Sequence, residues 1–146
     1  WSSISKVRSV LPENIIALQY DAIKIENVVF CGTRGWQLPE NNKYFSPHDE
    51  KIYLNELIRL EISLKQMKKL REEGDIVITL MHYPPFNFKE DNSKFTELLE
   101  QYNVNKVIYG HLHNTDKVVN LKTVKNGIEY YLTSCDLLNN QLIQII

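Results

Sequence analysis

No apolar run in this chain of 146 residues approaches the length of a membrane span. Charge of one sign is lacking too. Seventeen Lys and Arg stand against 18 Asp and Glu, for a formal net charge of -1. No global basic field therefore argues for nucleic acid or an anionic membrane as partner. The only two cysteines, Cys31 and Cys135, have no Cys-x-x-Cys spacing. Buried free thiols in a reducing compartment are expected, and with them a cytoplasmic protein. There is no internal repeat, no low-complexity tract and no linker, so one domain is expected over 1–146. That length is enough for a real hydrophobic core.

The periodicities that are present alternate between strand and helix. Ile4, Val7, Val10 and Leu11 recur at helical spacing before Pro12. Asn14–Leu18 and Ala22–Ile25 are short apolar or alternating runs. Glu26-Asn27 then offers a turn into Val28-Val29-Phe30-Cys31, which predicts an antiparallel hairpin. Gly32 and Gly35 flank Arg34 and predict special backbone geometry or a close approach. Ser46-Pro47-His48-Asp49-Glu50 is a helix start. The helix is expected to run to about Glu73, with Leu54, Leu57, Leu60, Leu64, Met67 and Leu70 as its apolar stripe. Lys65, Lys68, Lys69 and Arg71 read as its solvated face. His48 reads as a surface residue.

Two later units share one design. The apolar run Ile76–Met81 ends at His82-Tyr83-Pro84-Pro85, and Lys106-Val107-Ile108-Tyr109 ends at Gly110-His111-Leu112-His113. A helix over about Lys94–Tyr102 lies between them, so a βαβ unit is expected, with its functional residues at the strands' carboxyl ends. Asn126-Gly127 predicts a second hairpin between Val118–Val124 and Ile128–Thr133. Ser134-Cys135-Asp136 breaks that pattern. Asn139-Asn140 is a turn, and Leu142–Ile146 is expected as a last strand. The whole reads as a layered α/β core.

The histidines point to metal. His111 and His113 are two apart, and extended backbone after a turn at Gly110 would send both imidazoles to one side. His82 ends the neighbouring strand. Three imidazoles can hold a divalent cation and leave positions open, which is the arrangement of catalysis rather than of structural closure. Imidazole suits Mn, Fe, Zn or Ni alike. Trp36, Tyr83, Phe86 and Phe88 are candidates for a pocket wall, and equally for core packing.

The motifs His82-Tyr83-Pro84-Pro85 and Gly110-His111-Leu112-His113 resemble the two C-terminal signatures of the calcineurin-like metallophosphoesterases. Gly32-Thr33-Arg34-Gly35-Trp36, Asp49-Glu50-Lys51-Ile52-Tyr53 and Ser134-Cys135-Asp136 are similar to a bacterial branch of predicted phosphohydrolases. The resemblance implies a four-layer αββα sandwich with two metals at the strand ends. It implies that His82 and His111 bind one metal and His113 the other, and that Arg34 is a candidate phosphate contact. The family's earlier ordered series, Asp-x-His, Gly-Asp, Gly-Asn-His-Asp, is not found in the chain. The helix starting near Trp1 resembles the family's segment immediately after Gly-Asn-His-Asp, so the chain is expected to be the C-terminal part of such a domain. Hydrolysis at two metals needs a bridging carboxylate between cations roughly 3.5–4 Å apart. From the histidines alone, at most one weakly held metal is expected. The missing part would then lie on another chain, or a bare sheet edge would favour self-association.

The function expected of the intact parent is hydrolysis of a phosphorylated small molecule or a phosphodiester. The alternative is a non-catalytic binding or assembly module. A membrane or nucleic-acid partner is not expected.

Overall fold

The computed structural model describes residues 3–39, 44–114 and 118–146. Four strands form the centre of one sheet: Val28–Thr33 (β2), Ile76–Met81 (β3), Lys106–Tyr109 (β4) and Ile128–Leu132 (β6). All four run parallel, in that order. Each edge is closed by an antiparallel strand, Ala22–Ile25 (β1) beside β2 and Lys122–Lys125 (β5) beside β6. Both expected hairpins are therefore present. Glu26 turns the first with φ 54°, and Asn126 and Gly127 turn the second with φ 50° and 81°. Two consecutive positive φ values are what a two-residue type I′ connection requires.

Short helix α1 (Ile4–Arg8) buries no residue. Helix α2 (Pro47–Leu70) carries the chain from β2 to β3, and α3 (Lys94–Gln101) from β3 to β4. Ser46 caps α2, its Oγ accepting from the Asp49 N–H at 3.0 Å, with Asp49 and Glu50 in the first turn and Lys68 and Lys69 in the last. Ser93 and Thr96 form a reciprocal capping box on α3. On one sheet face Val29, Cys31, Val77, Val107 and Tyr130 meet Leu60, Leu64 and Met67 of α2 and Phe95 and Leu99 of α3. On the other face Phe30, Leu80 and Ile108 are only partly covered.

Several expectations need correction. The buried stripe of α2 is Tyr53, Glu56, Leu60, Ser63, Leu64 and Met67. Leu54 and Leu70 are exposed, because the helix turns two polar residues inward to serve the end of β2. Asn14–Leu18 and Leu142–Ile146 form no strand. Ile15 and Ile16 are half exposed and Leu142 lies fully in solvent. Of the two free cysteines, Cys31 is buried but Cys135 is exposed. Burial pushes the Cys31 thiol up to about 11.

The glycines flanking Arg34 have the special geometry their positions predict. A Cβ on Gly32 would lie 1.9 Å from the carbonyl oxygen of Leu80 on β3, and φ there is 148°. Gly35 has φ 71°, with Met81 and Tyr83 against it. Only glycine can bring β2 this close to β3 at the point where both strands end.

Candidate metal centre

The four parallel strands finish at one edge of the sheet, and the residue types that bear chemistry come directly after them. Arg34 comes after β2, His82 after β3, Gly110-His111-Leu112-His113 after β4, and Ser134-Cys135-Asp136 after β6. The ladder extends past the strand ends and fixes these loops. The N–H groups of His82 and Tyr83 both donate to the Arg34 carbonyl, at 3.0 and 2.9 Å. The Gly110 N–H donates to the His82 carbonyl at 3.2 Å, and the Thr133 N–H to the Tyr109 carbonyl at 2.8 Å.

The turn after β4 is made by His111 rather than Gly110. His111 has φ 71°, and the N–H of Leu112 donates to the carbonyl of Gly110 at 2.9 Å. This is a tight three-residue turn with a non-glycine residue in left-handed backbone, a conformation that costs about 1–3 kcal/mol. The two imidazoles therefore do not leave one extended strand on a common side. Instead His111 Nδ1 lies 3.1 Å from His82 Nε2, while His113 Nδ1 lies 2.7 Å from Asp136 Oδ1. Tyr83 lies over the His111 ring, with centroids 4.1 Å apart and planes tilted by 33°. Burial, followed by the neighbouring rings of His82 and His113, lowers the pKa of His111. A neutral imidazole is the form that ligates.

His113 is exposed, and Asp136 orients it. The other oxygen of that carboxylate accepts the Asn114 N–H at 2.9 Å. The Asn114 N–H, together with the His113 ring, holds the Asp136 carboxyl below its usual range. Among the described residues, one group of three potential ligands gathers within 4.8 Å of one another: His113, Cys135 and Asp136. Ser134 Oγ is buried next to this loop and has no hydrogen-bond partner.

Arg34 stands on the same edge, half exposed, with its guanidinium 4.6 Å from the centre of the Trp36 ring and 3.5 Å from Glu56 Oε1. Glu56 is only 1% exposed. Its carboxylate accepts from the Thr33 hydroxyl at 2.6 Å, the Gly35 N–H at 3.1 Å and Arg59 at 2.6 Å. This buried acid on α2 therefore pins the backbone on both sides of Arg34. His48 is exposed at the start of α2. Sequence reasoning missed Glu56, which sits among the apolar residues of a helix stripe. It left Asp136 without a role, although a break in a strand pattern just past a strand end was a usable signal.

A divalent cation can be tested against the donor set. With metal–nitrogen lengths of about 2.1 Å, two imidazoles on a tetrahedral cation lie about 3.4 Å apart. The His82–His111 separation of 3.1 Å lies within a few tenths of an ångström of such a pair.

A parallel sheet that gathers imidazoles, a carboxylate and a guanidinium beyond its strand ends defines an α/β protein with a candidate metal-binding site at that end. The family model for calcineurin-like phosphoesterase matches residues 12–115, and the chain belongs to that family. Its members are metal-dependent phosphoesterases that bind divalent cations. No curated protein matches the chain. Among the described residues, no helix is long and apolar enough to cross a membrane.

Proposed function

We propose that this chain carries half of a dinuclear phosphoesterase centre. In this reading His82 and His111 hold one divalent cation, and His113 contributes to the other. The intact protein hydrolyses a phosphomonoester or phosphodiester. The observation that carries the reading is the 3.1 Å approach of His82 Nε2 and His111 Nδ1 at adjacent strand ends. When bound, the cations neutralise phosphate charge and lower the pKa of water.

The chain's own residues have separable tasks. Asp136 accepts the Nδ1 proton of His113, so the Nε2 lone pair faces outward as donor. Tyr83 covers one face of the His111 ring and limits its rotation. Arg34 offers phosphate oxygens a planar, always charged fork. Its carbonyl is held by the N–H groups of His82 and Tyr83, and Glu56 holds the residues on either side, while its guanidinium lies 3.5 Å from that carboxylate.

Among the described residues no carboxylate stands with His82 and His111, so the bridging acid of a dinuclear centre would come from chain outside them. That same observation favours a second reading, a family domain that binds or assembles without catalysis. The donor set accepts Mn, Fe, Zn or Ni. The free state of both cysteines supports a reducing compartment, the cytoplasm.

The test is hydrolysis by the full-length protein supplied with Mn²⁺, using simple phosphomonoesters and a phosphodiester. Phosphate release that stops on chelation is the expected result. Protein that keeps its metal and hydrolyses neither ester class would leave the non-catalytic reading standing.

A further inference from the structure

A cavity of about 170 Å³ opens beside His111. Its walls are the aromatic loop after β3, the segment before β5 and the loop after β2. Tyr83, Phe86, Phe88, Tyr109, Leu112 and Val119 give it an aromatic and aliphatic side, and Gln37, Asn87, Glu90 and Asn120 a polar one. Tyr83 is shared: it lies over the His111 ring and lines the cavity. Whatever group meets the histidines therefore has this cavity as its neighbour.

Size and chemistry narrow the occupant. An apolar cavity of about 150 Å³ takes a benzene-sized molecule. Aromatic walls favour a ring over an aliphatic chain of equal area, through offset and edge-on contacts. Glu90 also lines the cavity. Its carboxylate accepts from Asn120 at 2.9 Å and Thr123 at 2.8 Å, which keeps an acid in place there. A second anionic group on the ligand would meet that acid and be repelled.

Resting on the phosphoesterase reading, we propose that this cavity takes the organic part of the substrate. The preferred substrate is then a phosphate ester whose alcohol part carries one compact aromatic ring with no negative charge at its far end. Phosphate lies at the histidines and the ring lies between Phe86, Phe88 and Val119.

The experiment compares 2-phenylethyl phosphate with propyl phosphate in the full-length, Mn²⁺-supplied protein. Both leaving groups are primary alcohols, so intrinsic reactivity is matched, and 2-cyclohexylethyl phosphate, a saturated ring of similar area that the aromatic walls should disfavour, separates ring contact from size in the ratios of kcat/KM. We expect about a tenfold preference for the ring. Phe88→Ala removes a wall at a partly exposed position, and Val119→Phe fills the space. Each should collapse the ratio toward one. Methyl resonances of Leu112 and Val119 should shift with 2-phenylethyl phosphonate and not with propyl phosphonate. Equal kcat/KM for the two esters, with no methyl shift, would overturn the pocket and leave the phosphoesterase reading intact. Methyl shifts without hydrolysis of either ester would support the pocket and overturn the phosphoesterase reading.

Discussion

His82 Nε2 and His111 Nδ1 lie 3.1 Å apart, although 29 residues separate them in sequence. Adjacent parallel strands bring them together, and the left-handed turn at His111 aims one ring at the other. Without metal, one of the two facing ring nitrogens must donate to the other. His111 should titrate below the ordinary histidine value, because partial desolvation of its ring, then the rings of His82 and His113, oppose the charge. Linkage gives the sign for stability. The unfolded chain takes up this proton first, so His111 lowers stability as pH falls below about 6.5 and leaves it unaffected above that. NMR titration of the histidine ring resonances checks this. A His111 midpoint at or above the ordinary value would contradict it.

Asp136 sets the tautomer of His113. Asp136→Asn retains the shape but replaces an acceptor-only carboxylate with an amide, and metal affinity should fall about 10–100-fold with little change in thermal stability. Competition with a chelator of known affinity measures this. If the Asn variant binds metal as the parent does, Asp136 has no part in orienting the ring.

Glu56→Ala should be the most damaging single change near the site. It leaves the Thr33 hydroxyl, the Gly35 N–H and Arg59 without their shared acceptor. Arg59 is half exposed and turns to water, so the cost is that of buried neutral donors left unpaired, about 1–3 kcal/mol. Denaturant unfolding would show the loss as a lowered midpoint. A midpoint unchanged within error would mean that the end of β2 holds its shape without this acid.

Glu129 ties β6 to its neighbours through Lys106 on β4, Lys122 on β5 and the hydroxyl of Tyr131. Lys106 first, then Lys122 and Tyr131, bring its carboxyl down to about 2. A depressed carboxylate stabilises the fold fully above its unfolded value and loses that effect as pH falls toward the folded one. Between about pH 4.5 and 2, Tm should therefore fall less steeply in Glu129→Gln than in the parent. Parallel curves of Tm against pH for the two proteins would refute the assignment.

Much of this architecture was legible because local chemistry and global fold agree. Asn126-Gly127, the cap at Ser46 and the apolar runs into His82 and Gly110 each act through near neighbours in the chain. The three candidate ligands and Arg34 could be placed at strand ends for the same reason. The illegible part depends on rotation and distance. The inward face of α2 was misjudged, because Glu56 and Ser63 are turned inward by the backbone of β2, 21 to 31 residues away. The turn at His111 was assigned to Gly110, because glycine is the usual residue for such geometry and a strained histidine has no local signature. The apolar segment 142–146 reads as a strand but joins no sheet in the structure.

The most direct test of the metal centre is elemental analysis of the full-length protein purified with Mn²⁺, alongside His82→Ala and His111→Ala. The account predicts bound metal in the parent and loss of the same metal in both variants, with folding checked by circular dichroism. Metal retained at the parent stoichiometry in both folded variants would contradict the claim that these two imidazoles share a cation.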